Sequence, residues 1–69
     1  MPTTNYVVTG MTCDHCVHAV TEEVSALDGV DDVAVDLTSG RLTVTSSGEI
    51  PYASVAAAVD EAGYAVTPA

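Results

Sequence analysis

A chain of 69 residues with no Phe or Trp and three Tyr must build its core mainly from Val, Ala and Leu, and a chain this short buries only about 60% of the surface its unfolded form exposes. A small sheet covered by a layer of helices suits that composition better than a deep pocket, so an enzyme that encloses a sizeable substrate is not expected. One Arg against ten Asp and Glu leaves a formal net charge of −9, which repels nucleic-acid phosphates and anionic membrane surfaces and favours a protein partner offering a basic patch.

The N-terminal run Met1-Pro2-Thr3-Thr4-Asn5 has neither the basic region nor the apolar stretch of a leader peptide. No stretch approaches the ~20 apolar residues of a membrane helix. Direct membrane insertion is therefore not expected, and the expected location is cytoplasmic. From Asn5 to Thr9 the residues alternate, Tyr6 and Val8 on one face and Val7 and Thr9 on the other, which predicts a strand ended by Gly10. Val17, Val20, Val24 and Leu27 then recur at helical spacing, with His18, Glu22 and Ser25 opposite, and Asp28-Gly29 closes the helix.

Val30 to Leu37 alternates again, with Val33, Val35 and Leu37 inward. Thr38-Ser39-Gly40 reads as a turn and Arg41 to Thr45 as the return strand of a hairpin, with Leu42 and Val44 inward. After the loop Ser46-Ser47-Gly48-Glu49, Pro51 reads as the first residue of a second helix whose inner stripe is Tyr52, Val55, Val59 and Ala62. Gly63 stops that helix, and Tyr64-Ala65-Val66 forms a last, edge strand before Pro68. The order strand, helix, strand, strand, helix, strand predicts a ferredoxin-like α+β fold, a four-stranded antiparallel sheet with two helices on one face.

The chain's two cysteines stand two residues apart in Gly10-Met11-Thr12-Cys13-Asp14-His15-Cys16. In a cytosol such a pair serves as metal ligands or as a redox couple more often than as a structural disulfide. Cys13 is expected in the loop and Cys16 in the first helical turn, where unpaired N–H groups and the helix dipole favour a thiolate. Asp14 stands where a helix cap or a plain surface acid would serve equally. Zn²⁺ prefers four ligands, and only His15 or His18 and a carboxylate are available to add to the two sulfurs. Soft Cu(I) matches thiolates and accepts fewer of them. A thiol-disulfide oxidoreductase also places C-x-x-C at a helix start, but no Trp precedes Cys13 and the chain is short for that fold.

Gly10-Met11-Thr12-Cys13-Asp14-His15-Cys16 resembles the G-M-T/S-C-x-x-C signature of heavy-metal-associated domains, the family of copper chaperones and of the N-terminal modules of copper-exporting P-type ATPases. Leu27-Asp28-Gly29-Val30 and Glu61-Ala62-Gly63-Tyr64 are also similar to the family pattern, so the resemblance covers nearly the whole chain, read as one domain over 1–69. It implies that Cys13 and Cys16 bind Cu(I), and that Met11 packs under the loop without touching the metal. It also implies that Tyr64 takes the place of the aromatic found near the site in bacterial chaperones. His15 has two readings, an imidazole that tunes or weakly ligates the site and one that points into solvent.

The implied function is that of a bacterial cytosolic copper chaperone, not an enzyme. It passes Cu(I) by thiolate exchange to the metal-binding domain of a copper-transporting P-type ATPase, or to a copper-responsive regulator. A monomer without metal and a copper-bridged dimer at excess copper are expected. An excised ATPase module or a mercury carrier of similar fold are the alternatives.

Overall fold

The structure, a computed structural model, describes residues 2–69. Its elements are β1 (Thr3–Thr9), α1 (Asp14–Ser25), β2 (Val30–Asp36), β3 (Arg41–Ser46), α2 (Tyr52–Glu61) and β4 (Ala65–Pro68). The strands form one sheet in the order β2-β3-β1-β4, every neighbouring pair antiparallel. Tyr6 and Val8 of β1 and Leu42 and Val44 of β3 join Val20 and Val24 of α1 and Val55, Ala58 and Val59 of α2 in a single buried cluster. One cluster holding the inner residues of both helices places them on the same face of the sheet, which is the expected ferredoxin-like arrangement.

The alternation read from the sequence is realised in the register. Tyr6 stands opposite Leu42, Leu42 opposite Val35, Val44 opposite Val33, and Val8 opposite Val66. Each of these pairs lies on the inner face, so the central strands β1 and β3 carry the most deeply buried residues and the edges β2 and β4 only half-bury theirs.

Four local readings differ from the sequence expectation. β2 stops at Asp36, leaving Leu37 half-buried in the turn, because the Asp36 carboxylate accepts the Thr38 N–H (3.0 Å) and its carbonyl accepts the Gly40 N–H (2.8 Å). Pro51 is the residue before α2, not its first: its ψ of 139° is extended, and its carbonyl receives the N–H groups of Ser54 and Val55. Tyr52 lies at the rim of the core, 42% exposed, its ring centroid 6.0 Å from that of Tyr6 and its hydroxyl donating to the Val66 carbonyl (2.7 Å). Ala58, which the sequence reading did not place inward, is buried, so the stripe of α2 is Val55, Ala58, Val59 and Ala62. β4, finally, begins at Ala65 and runs through Pro68, so Tyr64 precedes it. Of the two readings of Asp14 the surface acid holds: it is the first residue of α1 and makes no capping bond, and Cys13 occupies the cap position.

Gly40 fixes the hairpin against β1. Its φ is +74°, and a Cβ built there would lie 2.5 Å from the Val8 carbonyl oxygen. The same carbonyl-to-amide approach gives a bond from the Val8 N–H to the Gly40 carbonyl (2.7 Å), so the turn is tied to the strand that leads to the cysteines.

With a single Arg and no Lys against ten acids, most of the carboxylates have no cationic side chain to pair with, and they repel one another across a small surface. Raising monovalent salt from 0.01 M to 1 M shortens the screening length from about 30 Å to about 3 Å. Thermal unfolding followed by circular dichroism should accordingly show a melting temperature that climbs with salt; a flat or falling profile would mean that charge repulsion does not limit this fold.

Candidate metal centre

The loop between β1 and α1 begins at Gly10, whose φ of +96° turns the chain out of the sheet. A Cβ at Gly10 would stand 3.3 Å from the Tyr64 ring, so the missing side chain also lets that ring settle over the loop. Met11 follows and is half-buried against the core, where an unbranched thioether fills irregular space well.

Cys13 is exposed and extended (φ −158°, ψ 173°) at the cap position of α1. Its carbonyl accepts the N–H groups of Cys16 (3.0 Å) and Val17 (3.4 Å), closing the first turn. Cys16 lies one turn in, at 9% exposure, and it opens the buried stripe that continues through Val20 and Val24. The two sulfurs are 3.5 Å apart, and both cysteines are free. One sulfur is thus held by the core while the other faces solvent.

Local donors make Cys16 acidic. Its pKa is lowered from the ordinary 9.0 to about 6, first by a hydrogen bond from the Thr12 backbone N–H and next by the Tyr64 side chain, with partial burial opposing and Cys13 adding smaller contributions. The Thr12 hydroxyl also stands 3.9 Å from the sulfur. In return the Tyr64 hydroxyl is raised above its ordinary value, chiefly because the Cys16 sulfur accepts its proton in a hydrogen bond. At neutral pH Cys16 is therefore a thiolate, ready to bind a soft cation.

Of the residues singled out in the sequence, Cys13, Cys16, Met11 and Tyr64 come together here. His15 is exposed on the first turn of α1, and His18 is exposed one turn further on. Among the described residues no three His, Cys, Asp or Glu side chains converge as a metal-holding group, so the centre offers two sulfurs. Sequence reasoning missed Thr12. Its contribution is a main-chain N–H, which any residue but proline supplies, and only the bend of the loop aims it at a sulfur.

A shallow two-layer domain with a surface dithiol at the tip of its core, one thiol acidic, defines a small soft-metal-binding module. The chain belongs to the heavy-metal-associated domain family, whose model matches residues 6–65. It is 40% identical over 60 residues to the copper chaperone CopZ of Bacillus subtilis (strain 168), covering 86% of this chain and 87% of that protein. It is equally 40% identical over 62 residues to copper-transporting ATPase 2 of Rhizobium meliloti (strain 1021), covering 90% of this chain but only 8% of the ATPase. The solved structure of a CopZ metallochaperone superposes with a TM-score of 0.88 at 28% identity, over 96% of this chain and 100% of that one. The same fold therefore occurs both as a small protein of this length and as a segment of a much longer pump.

Because the pKa of Cys16 is depressed, its thiolate is present above about pH 6 and is lost as pH falls through that value. Iodoacetamide labelling resolved by mass spectrometry should show a Cys16 rate with its midpoint near about 6. Tyr64→Phe, which removes a donor to the thiolate, should move that midpoint upward. An unchanged midpoint in the variant would deny Tyr64 its part in activating the sulfur.

Proposed function

We propose that this chain is a copper carrier of the cytoplasm that holds one Cu(I) ion between Cys13 and Cys16 and passes it by thiolate exchange to a partner domain. The observation that carries the reading is the asymmetry of the pair: sulfurs 3.5 Å apart, Cys16 buried and Cys13 exposed. Two thiolates suit Cu(I) by softness. The kinship with a copper chaperone over 87% of that protein's length supports the choice of metal and of a carrier role rather than a catalytic one. Two free thiols at this separation also suit a reducing compartment.

Transfer follows from the same asymmetry. An incoming partner thiol gives up its proton and its sulfur bonds to the ion on the open side, next to Cys13. Cys13, free to swing at the edge of the helix, leaves first and regains a proton from solvent. Cys16 leaves last, once a second partner sulfur has bound. Copper remains Cu(I) throughout, two sulfur–copper bonds form as two break, and no electron is exchanged. His15 is exposed on the first turn beside the pair, open to an incoming partner, and Met11 and Tyr64 shape the loop around the sulfurs.

The partner that fits this exchange is the metal-binding domain of a copper-transporting P-type ATPase, itself a relative of this chain by the ATPase match; a copper-responsive regulator bearing a similar thiol site would fit the same chemistry. An anaerobic competition against a Cu(I)-specific chelator tests the reading. The wild-type chain should withdraw one equivalent of copper, and the double variant Cys13→Ser, Cys16→Ser should withdraw none. Equal performance of the two would overturn it.

Exposure of Cys13 also allows copper ions beyond the first equivalent to be shared between the dithiols of two copies. When copper exceeds protein, analytical ultracentrifugation should reveal dimers that dissolve on adding a competing thiol; a monomer at every copper ratio would remove the bridging mode.

A further inference from the structure

Away from the cysteines, α1 and α2 meet along a groove of about 390 Å³ lined by Glu23, Ala26, Leu27, Ser54, Ala57, Ala58 and Glu61. Its floor is mostly alanine and leucine, and carboxylates stand beside it on both helices. The charges are oddly placed. Glu22 and Glu23 lie in the last turn of α1 and Asp60 and Glu61 in the last turn of α2, and neither last turn holds a basic residue. Acids at a helix C-terminus oppose the negative end of the helix dipole. Among the described residues neither helix carries a Lys or Arg to relieve them. The one Arg, Arg41, is on β3 next to inward-facing Leu42 and so on the opposite face of the sheet from the helices.

We propose that this groove is a docking surface for a basic peptide segment of a partner protein. Lysine or arginine stems cover Ala26, Leu27, Ala57 and Ala58, and their cationic ends meet Glu23 and Glu61. Long basic side chains match both parts of the groove, because their methylene stems pack on apolar surface while the charged head stays in water. A purely apolar occupant would leave the carboxylates unmatched, and an acidic one would be repelled. The inference goes beyond copper handling: neither cysteine lines the groove, whose α1 side lies at the end of that helix while Cys13 and Cys16 are at its start, although Glu61 on the α2 side stands three residues before Tyr64.

The probe is an alanine-based helical peptide with lysine at every fourth position, with its glutamate counterpart as the negative control. Titrated into the metal-free chain and followed by amide chemical shifts, the lysine peptide should perturb Glu23, Ala26, Leu27, Ala57, Ala58 and Glu61, and the glutamate peptide should perturb none. Glu23→Gln with Glu61→Gln should weaken binding by about fivefold, the size expected for two exposed ion pairs. Both positions are exposed and their neutralisation relieves the helix ends, so the variant should melt no lower than the wild type.

Asp31→Asn with Asp32→Asn, which removes the same charge from the sheet edge, should bind as the wild type does. The Cys13→Ser, Cys16→Ser variant should also retain the peptide, so failure of the copper reading and failure of this one are separate results. Equal weakening by the sheet-edge variant, no weakening by the groove variant, or shifts spread evenly over all acids would overturn the docking surface.

Discussion

The structure turns on one placement: Cys16 is the first member of the buried stripe of α1. Val20 and Val24, both fully buried, fix the rotation of the helix against the sheet, and the sulfur one turn before Val20 is carried to the edge of the core. Its position is therefore set by core packing, where a shift of even a methylene's width is resisted. Cys13 lies just before the helix, with no packing of its own to hold it. The pair thus joins a buried sulfur to an exposed one, 3.5 Å apart.

Electrostatics in this molecule work at two ranges with opposite senses. The overall charge of −9 disfavours another anion anywhere on the surface, yet Cys16 is more acidic than an ordinary thiol. Short range wins because the Thr12 N–H and the Tyr64 side chain bear directly on the sulfur, whereas exposed acids act through water and are screened over about 8 Å at physiological ionic strength. The acidity of the surface is thus free to serve encounter with other proteins without suppressing the thiolate.

Much of the fold was legible because the hydrophobic spacing is clean. Tyr6 and Val8, Leu42 and Val44, and the stripe Val20, Val24 lie where alternation and helical period put them. The misreadings have local causes. Tyr52 has the right spacing for the core, but its hydroxyl needs a partner and finds the Val66 carbonyl at the rim; Ala58, three residues from Val55 on the same face, is buried as well. Leu37 was lost from β2 to a side-chain bond that starts the turn one residue early. In the site, residue identity pointed to Cys13 and Cys16, and the family resemblance to Met11 and Tyr64 around them. The Thr12 amide was invisible, because a main-chain donor leaves no mark in the alphabet of side chains.

The seating of Gly40 on the Val8 carbonyl bears on how the molecule tolerates engineering. Hairpin tips are ordinarily the places where a tag or a spliced segment does least harm, but this one is wedged against the central strand, and widening it would lever that strand and the loop beyond it. The segment around Gly48, where an added Cβ meets nothing within 4 Å, is the freer seam for grafting a reporter. Lengthening is thus permitted at one end of the hairpin and its following loop, and penalised at the other.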